Sequence, residues 1–473
     1  MPVSPDSPTQ SQDESVADVI VLGGGPAGEV LAERVVRAGL SAAIVEHELL
    51  GGECSYYACI PSKALLRPLQ VASTTAHLPG VEPTAPIPDA LLRRRSDWVA
   101  HYDDAGQARW ADKAGVKVLR GHARLVGERQ IEIHQRSGAH HTVTAGRAVV
   151  IATGSTPRIP AVFEGVPVWD HRDATGAQEV PARLMIVGGG PVACEAATWM
   201  SALGAQVTLL VRGADVLGDA EPFVADLVTA GLEAAGVTIH TFTEVTSVRR
   251  PAGIDPGLGR VKGGAVTVRT SESELMEAEE LLLATGRRPD LDRLNLESVD
   301  VDAAALARGD HSGLPDWLHV IGDAAGGPAL THLGKYQARQ LAARLSGAKT
   351  TSDATPVPQV VFTEPQVASV GLTEAQARAA GHSTVTAEVD FTDVPGAALL
   401  RDDLTGRAKL VVDADTGLVL GATFVGPAAG ELLHAATVAI VGKVPVGTLR
   451  HAVVAFPTAS EVWLHLLEKL ERV

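Results

Sequence analysis

One pattern occurs twice in this chain and leaves it few folds to choose from. Asp18–Glu46, "DVIVLGGGPAGEVLAERVVRAGLSAAIVE", runs apolar strand, glycine-rich turn, helix and second apolar strand. Arg183–Arg212, "RLMIVGGGPVACEAATWMSALGAQVTLLVR", repeats that order. Each is a βαβ unit of about thirty residues, the size of one dinucleotide-binding half. Two copies point to two dinucleotides and an α/β fold with two Rossmann-like dinucleotide-binding domains.

In the first copy, Gly23-x-Gly25-x-x-Gly28 follows a strand and opens a helix. The first glycine makes the tight turn, the second lets backbone approach a pyrophosphate, and the third packs helix on strand. Helix N-terminal N–H groups then hold the phosphates. Glu46 ends the next strand, where an acid takes a ribose hydroxyl. The second copy reads Gly188-x-Gly190-x-x-Ala193, with Val211 in place of the acid and Arg212 after it. An acid would repel a 2′-phosphate, whereas arginine pairs with it bidentately, so this site leans to NADP(H) over NAD(H).

At 473 residues the chain is long enough for about three domains. An apolar strand closing on Ala-Thr-Gly follows each copy, at Ala148–Pro160 and Leu281–Asp290. These mark the handovers between domains. The reading is 1–16 a disordered leader, 17–160 a first nucleotide domain, 161–287 a second, 288–354 a return to the first, and 355–473 an α+β tail. In the tail, Lys409–Gly426 alternates like an antiparallel hairpin around Asp-Thr-Gly, and Ala429–Lys443 has helical apolar spacing. Arg249–Ala265, rich in glycine and proline, reads as a hairpin or exposed loop.

A net charge of −16 argues against nucleic acid and anionic membranes, which need clustered basic residues. The first residues lack a basic and apolar signal, and no run of 18 apolar residues appears, so a cytoplasmic, soluble chain is expected. Three cysteines are too few for a secreted disulfide framework.

Two of those cysteines stand in "GGECSYYACIPSK", Gly51–Lys63, as Cys54 and Cys59. No second pair exists to complete a zinc site, and no metal is expected. On a helical start, four intervening residues would bring both sulfurs to one side, and a helix N-terminus favours thiolate. A redox-active pair fits this setting better than two inert thiols. Cys194, inside the second copy's helix, reads as core packing. Tyr56 and Tyr57 read as packing, with a hydrogen bond from either to a substrate as the alternative.

The ordered set of these motifs, with "ATGS", "ATGRRP", "VIGDA" and "FTEPQVASVGLTEAQA" (Phe362–Ala377), resembles the flavoprotein pyridine nucleotide–disulfide oxidoreductases, the group of dihydrolipoamide dehydrogenase, glutathione reductase and mercuric reductase. The resemblance implies FAD on the first fold, a nicotinamide cofactor on the second, and a homodimer built through the C-terminal α+β dimerisation domain. It implies that Glu46 holds the adenosine ribose and Asp323 the ribityl chain. Lys63 and Glu195 would pair near the flavin, Cys59 would lie against it, and Cys54 would face substrate. Further cofactor contacts are implied at Gly52, Ala123, Thr153, Gly154, Gly286 and Thr331, with His332 in the flavin shell.

The family pattern breaks at one place. Its tail carries His-x-His-Pro-Thr, whose second histidine, supplied across the dimer, shuttles the substrate-side proton, with a glutamate five residues later to orient it. Here "HAVVAFPTASEVW" (His451–Trp463) puts Phe456 at that position and Val454 before it, yet keeps Glu461. Phenylalanine carries no titratable group, and His451 lies too far upstream to replace the base. A similar loss occurs in the 2-ketopropyl coenzyme M oxidoreductase/carboxylase, which also replaces the glutamate. No cysteine follows Cys194, which separates the chain from mercuric reductases and large thioredoxin reductases, since these need a second redox pair near the C-terminus. Three readings follow: an FAD-dependent, NAD(P)H-linked oxidoreductase with a Cys54–Cys59 disulfide acting on a small disulfide, dithiol or thioether; a reductive C–S cleavage and carboxylation enzyme; or a redox-silent FAD-binding subunit.

Overall fold

The computed structural model describes residues 15–251, 253–350 and 355–471. Most of the expected leader therefore lies outside the described residues. At its end, Val16 already donates its N–H to the Thr144 carbonyl at 3.0 Å.

The chain forms two compact units. The first takes the described residues up to Ser55, Tyr102–Thr156 and 287–350. Its centre is a parallel sheet in the order Val116–Arg120, Ala42–Glu46, Ala17–Leu22, the second half of His140–Ile151, and Leu318–Val320. Val19, Ile20, Val21 and Leu22 are all fully buried, as befits a parallel strand covered on both faces. The cover on one face is the Pro26–Arg37 helix, which starts on Pro26, where a missing N–H costs nothing, and buries Leu31, Ala32 and Val35. The Thr331–Leu345 helix packs beside it. The first half of His140–Ile151 turns away into an antiparallel meander with Gln130–His134 and His122–Gly127.

The second unit takes Tyr56–His101, Pro157–Gly286 and 355–471. Residues 56–101 thus group with the second nucleotide fold rather than with the 17–160 segment. Its parallel sheet runs Thr238–His240, Gln206–Leu210, Arg183–Val187, Glu280–Leu283, with the Pro191–Ala202 helix between the two middle strands in sequence. Val245–Arg249 and Val266–Thr270 pair antiparallel, so the glycine-rich segment between them does close a hairpin. It is not simply exposed. The Arg250 guanidinium is fully buried, paired with Glu280 at 2.5 Å and donating to the Pro167 and Glu279 carbonyls. A charge so placed needs those partners, because an uncompensated buried cation is strongly destabilising.

The tail is a five-stranded antiparallel sheet, Gln359–Val361, Gln366–Gly371, Val419–Gly426, Arg407–Asp413, Thr384–Asp390. The expected Asp-Thr-Gly hairpin is present. Asp413 accepts the N–H groups of Asp415 and Thr416, and Gly417 takes φ +67. Ala429–Val441 is the expected helix, burying Leu432, Leu433 and Ala436.

Candidate functional site

The two glycine turns match in detail, each inside its own unit. Gly23 (φ +113) and Gly188 (φ +135) lie in the left-handed region. A Cβ on either would come within 2.3 or 2.4 Å of a carbonyl, that of Ala152 or Ala284. Those two alanines open the Ala-Thr-Gly motifs, so each motif closes on the turn of its own fold. Gly28 leaves a Cβ no room either, 2.1 Å from the Gly23 carbonyl, and Ala193 at the equivalent place is fully buried. Gly25 and Gly190 differ: a Cβ there would meet nothing within 4 Å. Nothing in the fold demands glycine at these two positions. An approaching pyrophosphate would, because only a bare backbone lets it come close.

Above the first turn stands Glu46. Its Oε2 accepts from the Gly24 N–H and its Oε1 from the Glu48 N–H, both at 2.7 Å. The carboxylate is nearly buried and held in one orientation. Gly189 meets Val211 at the place where Gly24 meets Glu46, so the substitution read in the sequence is a true positional one. Val211 is buried and Arg212 exposed. Gly52 (φ +55) lies against Gly25, which leaves 2.9 Å for a Cβ.

The same unit holds a second polar group. Asp323, on the Gly322–Ala325 turn, accepts from the Ser155 hydroxyl at 2.6 Å, and that hydroxyl accepts in turn from Arg287 Nε at 2.7 Å. The Gly322 N–H donates to Gln337. Thr153 donates its hydroxyl to the Asp290 carbonyl at 2.6 Å, and Gly154 (φ +78) leaves open space for a Cβ. Ala123 is half-buried on the His122–Gly127 strand, Thr331 opens the Thr331–Leu345 helix, and His332 beside it is exposed. In the other unit Gly286 (φ +101) likewise faces open space. An open glycine turn, a fixed acid at the second strand and an aspartate on a nearby turn fit FAD. Ser155 and Arg287, which orient that aspartate, stood in quoted motifs without a role.

The cysteine segment is two helices rather than one. Gly52–Tyr56 carries Cys54 and ends, and Cys59 is the first residue of Cys59–Ala76. Both cysteines are half-buried. Cys59 therefore sits in the first turn of an 18-residue helix. Tyr57 is buried, with the Arg172 guanidinium 4.2 Å over its ring, and its carbonyl accepts from Thr175 at 2.7 Å. It packs, as expected. Cys194 is fully buried and donates weakly to the Gly189 carbonyl, and burial pushes its thiol up to about 12, so it stays a thiol.

Lys63 follows Cys59 by four residues, one turn along the same face. Its Nζ lies 2.7 Å from Glu195 Oε2 and 4.7 Å over the Phe362 ring. Glu195 Oε1 accepts the Phe362 N–H at 3.0 Å. The carboxylate is buried and the ammonium partly open to solvent. The expected ion pair thus exists, and Phe362 completes it with both ring and backbone. That residue opens the "FTEPQ" motif, the signal that marked it without revealing its job.

Phe456 is 74% exposed, on the loop before the Val462–Leu470 helix, and the Phe456–Pro457 bond is cis. His451 is exposed upstream, its N–H bonded to Thr448. Glu461 is buried, and its Oε2 accepts the N–H groups of Gly396 at 3.1 Å and Thr458 at 3.2 Å. With the Thr458 side chain it forms a capping box. The acid kept without its histidine therefore has a structural task of its own.

Among the described residues no helix is long and apolar enough to cross a membrane, and no cluster of ligating side chains could hold a metal. Residues 17–338 match the model of the pyridine nucleotide-disulphide oxidoreductases, and residues 357–467 that of their dimerisation domain. Over 469 residues the chain is 34% identical to a dihydrolipoyl dehydrogenase from Thermus scotoductus, covering 96% of this chain and 97% of that protein. It is 29% identical to a mercuric reductase from Acidithiobacillus ferrooxidans, over 96% of this chain and 83% of that protein. Among solved structures, the HOCl-induced flavoprotein disulfide reductase RclA from Escherichia coli has the same fold, with a TM-score of 0.80 at 23% identity over 95% of this chain and 99% of that one.

Proposed function

The chain belongs to the pyridine nucleotide-disulphide oxidoreductase family, and from that premise we propose that it reduces or oxidises a small sulfur compound through a Cys54–Cys59 disulfide without a histidine proton carrier. As a member it is an FAD-dependent oxidoreductase that uses a nicotinamide cofactor, acts on sulfur and carries a dimerisation domain. The finer assignments rest on the geometry.

In the reductive direction the balance is NADPH, a proton and a disulfide giving NADP⁺ and two thiols. FAD, when bound, accepts the hydride from the nicotinamide and passes the electron pair to a disulfide. Glu46, Asp323 and the open backbone at Gly25 would hold it. Gly190 and Arg212 would hold the nicotinamide dinucleotide, with the 2′-phosphate on the arginine. Lys63, fixed by Glu195 and Phe362, presents a cation one turn from Cys59. Cys54 would meet substrate, and protons would pass to and from solvent, since Phe456 can carry none.

One observation carries the reading: the helix that opens on Cys59 bears, one turn on, a lysine locked to a buried glutamate. Anaerobic titration with NADPH and NADH in parallel tests it. Two-electron reduction producing long-wavelength absorption, from a thiolate against the flavin, supports a working dithiol. A flavin that reduces without that band supports a redox-silent subunit. Efficient reduction by NADH alone overturns the Arg212 assignment.

A second reading draws on the exposed Phe456. A proton donor replaced by an apolar ring suits chemistry in which a carbanion must escape protonation, as in reductive C–S cleavage followed by carboxylation. Bicarbonate-dependent turnover of a thioether would favour it over the first.

A further inference from the structure

Glu29 follows the third glycine of the first turn and lies in the first turn of the Pro26–Arg37 helix. This is the end of the helix whose N–H groups anchor a pyrophosphate. Glu29 is half-buried, and its Oε1 is buried and has no hydrogen-bond partner. An ionised carboxyl with one oxygen buried and unpartnered is costly, which favours its neutral form. Burial pushes this carboxyl up to about 7, the nearby Glu46 charge adds to the rise, and Lys335 opposes it.

The neighbours define what Glu29 faces. The Thr331–Leu345 helix carries His332, Lys335, Tyr336, Arg339 and Arg344, of which Lys335 acts on Glu29, and from the Ala42–Glu46 strand comes Glu46. The Ala17–Leu22 strand brings only Asp18, tied to Ser41. The Val116–Arg120 strand brings Lys117, bonded to the Val16 carbonyl, and Arg120, bonded to Asp104. On its own helix, Glu33 and Arg37 pair with each other, and Arg34 is the remaining charge. One cation therefore meets two carboxylates beside the phosphate anchor.

FAD brings two further negative charges to that anchor. We propose that Glu29 enters the FAD-bound state as the neutral acid, so that seating the pyrophosphate on the Gly23–Gly28 turn takes up one proton and ionisation of Glu29 loosens the cofactor. The inference rests on the FAD assignment and adds a cofactor-positioning residue to it.

The sign follows from linkage. A bound anion raises the carboxyl above its value in the free site. Full affinity is present below the free-site value and is lost as pH rises through the window between the two. With the free-site value near 7, FAD binding at pH 8 is expected to be about tenfold weaker than at pH 6.

The test dilutes the holoenzyme serially at pH 6, 7 and 8 and reads released FAD by its fluorescence. Wild type should show the tenfold change. Glu29→Gln, which mimics the neutral acid, should bind at pH 8 as tightly as wild type at pH 6, with a flat profile. Lys335→Met, which removes the opposing cation, should move the wild-type midpoint to higher pH. A flat wild-type profile, or a Glu29→Gln profile as steep as wild type, overturns the proposal while leaving the FAD site intact. A protein that retains no FAD at any pH overturns both.

Discussion

Replacing Glu195 by alanine removes two things at once, and replacing it by glutamine removes only one. Alanine leaves the Lys63 ammonium over the Phe362 ring without its anion and leaves the Phe362 N–H without its acceptor. Breaking a buried pair from one side costs about 3–5 kcal/mol. The Lys63 side chain is about one-third exposed, so water recovers part of that, and about 2 kcal/mol is a fair share here. The orphaned N–H adds about 1–2 kcal/mol. Glutamine keeps an oxygen for the Phe362 N–H but turns an amide NH2 toward Lys63 where an acceptor stood, so it loses the Lys63 pair alone, for about 2 kcal/mol. Thermal melting of the two holoenzymes, followed by circular dichroism and flavin release, should place alanine several degrees below glutamine. Stopped-flow reduction by NADPH should slow in both, because both lack the anion that fixes Lys63. Equal melting temperatures would refute the role given to the Phe362 N–H. A glutamine variant reduced as fast as wild type would refute the role of the charge.

The two glycine positions of the second fold should separate folding from binding. Gly188→Ala, at φ +135 with a carbonyl 2.4 Å from the new Cβ, should lower the melting temperature markedly. Gly190→Ala should melt like wild type and show a raised KM for the nicotinamide cofactor. Arg212→Ala should raise the KM for NADPH about tenfold, the loss of one charge-assisted contact, and leave that for NADH unchanged in steady-state assays. Phe456→His should speed NADPH-dependent reduction of lipoamide or glutathione disulfide near pH 7, by up to about 10²-fold. Wild-type rates should instead climb toward the ordinary thiol range near pH 8.5, since no base draws the proton away. Thermal melting of the dimer checks that the fold is intact, and an unchanged rate in an equally stable variant would count against the missing-base argument.

Much of this was legible in the sequence because the dinucleotide folds write their steric needs into it. Gly23 and Gly188 are glycine because a carbonyl occupies the space of their Cβ, whereas Gly25 and Gly190 face open space. The Lys63–Glu195 pair came from the family resemblance, and the distance bears it out. What escaped notice depends on contacts between segments distant in the chain. Phe362 reaches Glu195 across 167 residues, and no local pattern announces that its backbone N–H is the acceptor's partner. Arg250 looked like part of an open loop because glycine and proline dominate its neighbourhood, yet Glu280 draws it inside. The break between the Cys54 and Cys59 helices lies in a stretch of ordinary composition, where nothing but the folded backbone shows it.

The hydrogen bonds of Glu461 bear on how this protein could change its trade. They tie Thr458, two residues past position 456, and Gly396 of the Pro395–Ala398 helix to one carboxylate, and neither involves the side chain at position 456. The loop's shape is thus insulated from the group it displays. A position so insulated behaves as a socket. On the proposed role of position 456, an apolar, basic or nucleophilic side chain fitted there would change the chemistry offered to a substrate while leaving the Glu461 bonds in place.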